Sequence, residues 1–365
     1  MQNGTQEASR RLLLKGLVSL GAIVSGLLFL ELGLRLFLPQ SIIPRYVETA
    51  PYGIRKNIPS VHGEMIVPEY RHRLTTNSVG FRGGKEYALV KPAGTYRIIV
   101  LGDSVTLGHG VGDDETFSAL LEQELARAGP TEVLNMGVSG FGTAEELTQL
   151  RQVGLAYEPD LVILGYFPND PYNNVVSRLF KVVEGRLVSD QSGFAPALYI
   201  RDHLYAIPGW SFLCQHSHLV NFVRNRASGY IVEKLADQNQ VAAETSSTLT
   251  EREAVLTAAL LNELTHELAQ HGIPLVILNI PLVVEREVIQ NLPVERLRRI
   301  SCSPYVIDVA ATIYRDHALE TLSYKNDAHP TRLGHKLIAD WLAPFIAGVI
   351  RGQDMGPVRS PGGST

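Results

Sequence analysis

Hydrophobic and polar positions divide the chain into three unlike regions. From Gly16 to Leu38 the residues are mostly apolar and charged only at Glu31 and Arg35. That run is about the ~20 residues a helix needs to cross a bilayer. Residues 39–95 are rich in Pro, Tyr, Arg and Gly and show weak periodicity. A regular alternation begins near Tyr96. Short apolar runs predict strands at 97–101, 132–135, 160–166, 274–280 and 305–308. Between them, 3.6-residue periodicity predicts helices at 116–128, 143–156 and 250–271, and a last one from Thr331 to Ile350. Strands alternating with helices build a mainly parallel sheet covered on both faces. The alternation lapses over 171–250, a stretch too long for an ordinary loop. It reads either as an inserted cap that shapes a substrate entrance or as packing that thickens one edge of the sheet. Residues 351–365 are rich in Gly, Pro and Ser and are expected to be disordered.

The boundaries are therefore a short N-terminus (1–15), an apolar anchor (16–38), a stalk and extension lying against the main domain (39–95), the main domain itself (96–350) and a tail (351–365). Arg10, Arg11 and Lys15 precede the apolar run with no acid between them. The positive-inside rule leaves the N-terminus cytoplasmic and sends residue 40 onward to the other side of the membrane. Ser9-Arg10-Arg11-Leu12-Leu13-Leu14-Lys15 is also similar to a twin-arginine export signal. No small-x-small cleavage site follows the apolar core, so a single-pass anchor is expected rather than a removed signal.

Composition changes this picture little. The chain is 45% hydrophobic and 19% charged, with a formal net charge of −4 and no basic stripe, which argues against a nucleic-acid partner. Cys214 and Cys302 are too few and too far apart for a zinc site; in an exported domain they pair as one disulfide or stay two separate thiols. His216 and His218 form a His-x-His pair without a third ligand at diagnostic spacing, and packing is the expected role. Gly108, Gly110 and Gly112 lack the Lys-Ser/Thr of a phosphate loop and serve a turn.

The chemistry is concentrated at the ends of the predicted elements. Ile98-Ile99-Val100-Leu101 runs straight into Gly102-Asp103-Ser104, which places a hydroxyl just beyond a buried strand, where open α/β sheets bind ligands. The local pattern is not a G-x-S-x-G elbow, because Thr occupies position 106. Far downstream stands Asp327-Ala328-His329-Pro330. Side chains two apart on an extended loop point to one side. Asp327 can then fix the tautomer of His329, whose free nitrogen takes the proton of Ser104.

Taken together these segments resemble the SGNH (GDSL-type) hydrolases, and the chain is similar to their membrane-anchored bacterial members. Four blocks match in order across residues 95–350: Gly102-Asp103-Ser104; Asn135-Met136-Gly137-Val138-Ser139-Gly140; Phe167-Pro168-Asn169-Asp170; and Asp327-Ala328-His329-Pro330 with Gly334-His335 following. Thr76-Asn77-Ser78-Val79-Gly80-Phe81-Arg82-Gly83 is similar to the lead-in of anchored members. The resemblance implies a flavodoxin-like three-layer α/β/α fold after one N-terminal transmembrane helix. It implies Ser104 as nucleophile, His329 as base and Asp327 as its orienting acid. It also implies an oxyanion hole from the Ser104 and Gly140 backbone amides and the Asn169 side chain. Two departures stand out. Phe167 occupies a glycine position, and the acid and base are spaced Asp-x-His rather than Asp-x-x-His. Asp170 is expected to pin its loop through local hydrogen bonds, and His335 to pack or cap.

The implied reaction is hydrolysis of an oxygen ester through an acyl-serine, with no cofactor and no metal. The substrate is expected to be a small-molecule, lipid or glycan ester, such as an acylated cell-envelope component. Polysaccharide O-acyl transfer from the same site, and a non-catalytic carbohydrate-binding or assembly role, are the alternatives. Sequence does not fix the acyl group, the alcohol or the oligomeric state.

Overall fold

The computed structural model describes residues 2–190, 196–239, 248–284, 287–297, 304–327 and 329–353. Helix α1 (Gln2–Phe37) comes first, and its residues 10–37 are long and apolar enough to cross a membrane. Residues 39–95 then form two hairpins, β1 (Val47–Thr49) with β2 (Arg55–Asn57), and β3 (His62–Val67) with β4 (Tyr70–Thr75). The stretch expected as stalk and extension thus lies folded against the domain. Tyr46, Ile54, Met65 and Leu74 are buried together with Leu107, Val138 and Phe141. Its strands are hard to read because an inward position of β4 is His72 rather than an apolar residue.

The central unit opens with β5 (Tyr96–Gly102), α2 (Ser104–Leu107), α3 (Phe117–Leu125), β6 (Thr131–Asn135), α4 (Thr143–Gln152) and β7 (Leu161–Tyr166). The insertion follows as α5 (Asp170–Ser177), the hairpin β8 (Phe180–Val183) and β9 (Arg186–Ser189), α6 (Pro196–Tyr205), α7 (Trp210–His216) and α8 (His218–Asn239). The unit closes with α9 (Glu251–Gln270), β10 (Leu275–Asn279), a hairpin of β11 (Leu282–Val284) and β12 (Glu287–Ile289), α10 (Val294–Leu297), β13 (Tyr305–Asp308), α11 (Val309–Thr312) and α12 (Arg332–Ile350).

The main sheet is wholly parallel, in the order β13-β10-β7-β5-β6. β5 therefore has its sequence successor β6 on one side and β7 on the other, so the strand order reverses there. Alternate residues of β5 face opposite layers. Ile98 and Val100 pack with Phe117, Leu121, Ile338 and Leu342 of α3 and α12. Ile99 and Leu101 pack with Leu147, Leu150, Leu260 and Leu264 of α4 and α9. This is a three-layer α/β/α fold. α12 is also apolar enough for a membrane, but its apolar face is core.

Thr116, Thr250 and Thr331 cap the first turns of α3, α9 and α12, the last two starts falling within a residue of the sequence reading. The helix expected over 143–156 stops at Gln152; Gly154–Tyr157 forms a separate 3-10 turn. Within the insertion, α5 and the β8–β9 hairpin pack on α9, whereas α6 reaches β1 and α8 meets α1. Glu31 of α1 accepts hydrogen bonds from the Ser217 hydroxyl and from the His218 and Leu219 amides at the start of α8. Cys214 is a free, buried thiol; Cys302 lies outside the described residues, as does most of the tail.

Candidate active site

β5 delivers Ser104. Gly102 has φ +153°, and a Cβ there would sit 2.1 Å from Thr106 Oγ1. Its registered partner on β7, Gly165, would put a Cβ 2.2 Å from the same oxygen. Two paired glycines thus let the first turn of α2 close over the strand ends, with Ser104 at its head. The preceding Asp103 is fully buried and caps that turn by accepting from the Val105 amide at 2.8 Å.

Ser104 Oγ lies 2.8 Å from His329 Nε2, and His329 Nδ1 lies 2.7 Å from Asp327 Oδ1. Burial opposes ionisation of Asp327, but hydrogen bonds from His329 and Tyr70 and the facing imidazole hold its carboxyl down to about 2. An ionised carboxylate only accepts, so Nδ1 carries the hydrogen and Nε2 is left to accept from the serine hydroxyl. Asp327 and His329, two residues apart, meet on one side of the loop.

Residues not singled out from the sequence hold this loop. Glu69, at the tip of the β3–β4 hairpin, accepts from the Lys325 and Asn326 amides at 3.1 and 2.8 Å. Tyr70 donates its hydroxyl to Asp327 Oδ2 and packs on Tyr324, whose own hydroxyl donates to Gly110 O. On the other side, the His109 ring lies 5.0 Å from that of His329. His109 Nε2 meets the Tyr46 hydroxyl at 2.9 Å and Ser139 Oγ at 3.0 Å. Burial and the neighbouring imidazole push the His109 pKa well down, so it stays neutral beside the base. Position in a weakly periodic segment hid Tyr46, Glu69 and Tyr70; only the lead-in similarity at 76–83 marked that region.

The implied oxyanion donors sit on two adjoining loops. Gly137 and Val138 run against the head of α2: the Val138 amide donates to Gly102 O at 3.0 Å, and a Cβ on Gly137 would lie 2.4 Å from the Leu107 nitrogen. Asn135 locks this loop by donating to Thr106 O and Ser118 Oγ and accepting from the Gly137 amide. Gly140 has φ +75°. Among the described residues no acceptor meets the backbone N–H of Ser104 or of Gly140. Asn169 follows β7 and donates one amide hydrogen to Asp103 Oδ2 at 3.1 Å. Phe167, the departure from glycine, turns into the core beneath the loop.

Asp170 behaves differently from expectation. Its amide donates to Phe167 O, but its carboxyl is fully buried and has no hydrogen-bond partner among the described residues. The same holds for Glu146. Burial pushes both carboxyls far up; repulsion from Asp103 and Glu145 adds to this at Glu146, and repulsion from Glu146 and Asp103 adds to it at Asp170.

The remaining candidates have structural roles. His335 is fully buried, accepts from the Phe117 amide and stacks on that ring. His218 Nδ1 accepts from the Gln40 amide, and His216 Nδ1 lies 2.9 Å from Phe212 O. Among the described residues no group of three or more His, Cys, Asp or Glu is placed to hold a metal ion.

Comparison with known proteins follows the same outline. The model of the GDSL-like lipase/acylhydrolase family matches residues 100–337. No curated protein matches the chain significantly. Among solved structures, a lipase/acylhydrolase from Enterococcus faecalis is 13% identical, with 72% of this chain and 99% of that one covered and a TM-score of 0.39. The psychrotrophic esterase EstA from Pseudoalteromonas sp. is 14% identical, covering 70% and 98%, with a TM-score of 0.37. The acetylxylan esterase Axe2 from Geobacillus stearothermophilus is 13% identical, covering 69% and 94%, with a TM-score of 0.38.

Proposed function

Because the chain belongs to the GDSL-like lipase/acylhydrolase family, we propose that it is a serine esterase that cleaves oxygen esters through an acyl-Ser104 intermediate. The observation that carries this reading is the unbroken hydrogen-bond line from Ser104 Oγ through His329 to Asp327. A serine hydroxyl is a weak nucleophile until an adjacent base removes its proton. As Oγ attacks the ester carbonyl, His329 Nε2 takes that proton and the imidazolium is stabilised by Asp327. The carbonyl oxygen becomes an oxyanion facing the Ser104 and Gly140 amides and the Asn169 side chain. His329 then protonates the departing alkoxide, which leaves as the alcohol. Water next gives a proton to His329 and its oxygen to the acyl carbon; the second tetrahedral intermediate collapses to the acid, and Ser104 recovers its proton.

The substrates in this reading are acylated glycans or lipids of the cell envelope. α1 is the membrane anchor, with Arg10, Arg11 and Lys15 on the cytoplasmic side and the catalytic domain across the membrane. Its tie to α8 through Glu31 supports a helix held to the domain. A fluorophosphonate probe tests the function: it is expected to label the full-length protein and to fail on Ser104→Ala. A folded wild-type protein that resists the probe and hydrolyses no aryl ester contradicts the reading.

A further inference from the structure

Next to the candidate oxyanion loop lies a cluster of guanidinium groups that the reaction does not use. Arg55, the first residue of β2, donates through Nη1 to Ser139 O at 3.1 Å. A Cβ on Gly140 would lie 2.2 Å from that same nitrogen. The guanidinium therefore rests directly on the residue whose amide faces the reacting carbonyl. Arg55 makes no ion pair among the described residues.

Arg201 approaches from α6. Its side chain is two-thirds covered, and Nε and Nη2 are inaccessible and without an acceptor. The nearest carboxylate oxygen is Asp202 Oδ1, 3.8 Å from Nε. Asp202 is already engaged: it accepts from Arg45 at 3.2 Å, from the Thr49 amide at 3.2 Å and from the Thr49 hydroxyl at 2.7 Å. Burial pushes the Arg201 pKa down, the Asp202 carboxylate opposes that shift, and repulsion from Arg55 adds to it. Glu145 also faces Arg55, but its burial outweighs that attraction and moves its carboxyl up to about 7. Arg45 and Arg201 thus share the Asp202 carboxylate, and the charge of Arg55 adds to theirs nearby.

A guanidinium keeps its charge at any physiological pH, and withdrawing it from water without a counter-charge is costly. Its planar fork matches carboxylate and phosphate oxygens two at a time. We propose that Arg55 and Arg201 form an anion-recognition subsite beside Gly140, which takes a carboxylate or phosphate carried by the ester substrate. The inference rests on the esterase reading above and narrows its substrate class to acylated anionic molecules, either acidic glycans or phosphate-bearing lipids and glycans. The β1–β2 hairpin and α6, neither part of the sheet fold, supply it.

The test uses the full-length protein in lipid nanodiscs and three aryl acetates with the same scissile bond: 4-acetoxybenzoate, 4-acetoxyphenyl phosphate and neutral 4-acetoxybenzamide. The acyl side is covered by 4-nitrophenyl hemiglutarate against 4-nitrophenyl valerate. On at least one side, kcat/KM for the anionic ester is expected to exceed the neutral one by about 10- to 100-fold. That ratio is expected to collapse in Arg201→Gln and Arg55→Gln, and to survive in part in Arg55→Lys. A larger carboxylate ratio points to acidic glycans, a larger phosphate ratio to phosphorylated substrates. Equal rates for charged and neutral esters on both sides overturn the subsite. So do variants that lower all rates by one factor, as a purely structural role for Arg55 would. If no ester is turned over, the esterase reading fails separately. Calorimetric titration with 4-hydroxybenzoate, 4-hydroxyphenyl phosphate, 4-hydroxybenzamide, free glutarate and valeramide then decides the subsite: an anion bound more tightly than its neutral partner, with the excess lost in Arg201→Gln, supports it, and equal binding overturns it.

Discussion

The two halves of the site are held in place by different means. Ser104 and Asn169 stand just beyond β5 and β7, adjacent parallel strands buried from Arg97 to Gly102 and from Leu161 to Tyr166. Their positions follow from the sheet and from the reversal of strand order between β6 and β7. Asp327 and His329 stand on an irregular loop closed by the isolated Ser323–Pro330 bridge and by the Thr331 hydroxyl donating to Thr321 O. That loop is fixed by Glu69 and Tyr70, from the far end of the chain. Ser104 and Asn169 are placed by the fold common to the whole domain. Asp327 and His329 depend on a hairpin added in front of it, so in the proposed mechanism the N-terminal extension supports the candidate acid and base rather than serving as a spacer.

Mutations on the two sides should separate these contributions. Ser104→Ala and His329→Ala are each expected to lower kcat by at least about 10³-fold, and the double variant to be little worse, because groups that act as a unit are not additive. Additive losses, measured with an aryl acetate, would mean that the two do not share one step. Asn169→Ala is expected to cost on the order of 10²–10³ in kcat with a small change in KM, the signature of a donor used only in the transition state. On the extension side, Tyr70→Phe removes one hydrogen bond from the Asp327 carboxylate and is expected to cost about tenfold in kcat. Loss of that donor should also raise the Asp327 carboxyl above about 2. An unchanged kcat would assign Tyr70 to packing alone.

The smallest effect is on stability. Burial raises the Glu145 carboxyl from its usual 4.5 to about 7. Between those values the folded protein binds more protons than the unfolded chain, so the group's contribution is complete below pH 4.5 and is lost as pH rises through 7. Thermal melts should therefore fall from pH 5 to pH 8, and Glu145→Gln should flatten that fall by on the order of 1 kcal/mol. A steeper fall in the variant would contradict the assignment.

The sheet half was legible from sequence for physical reasons. A fully buried parallel strand reads as an uninterrupted apolar run, and Ile98–Leu101 into Gly-Asp-Ser is such a run. Thr116, Thr250 and Thr331 mark helix starts because a capping hydroxyl is a local requirement. The hairpin half was not legible. Strands β1 and β2 are three residues long, too short for a period to appear. β4 turns His72 inward and spends Tyr70 on a contact with Asp327, so its alternation is broken by function. Asp170 reads from sequence as a loop pin because it is a polar side chain beside Asn169 in a predicted loop. Only its neighbours, above all Glu146 on α4, reveal a fully buried carboxyl whose ionisation is opposed. Arg55 and Arg201 meet only in three dimensions, from β2 and α6.

In the proposed mechanism Ser104 carries the acyl group between two half-reactions. Rapid acid quench of the full-length protein during turnover of 4-nitrophenyl acetate, followed by peptide mass spectrometry, tests it directly. An acetyl group on Ser104 that appears within the first turnover, and is absent from His329→Ala, is the predicted result. Turnover that leaves Ser104 unmodified and persists undiminished in Ser104→Ala would contradict it.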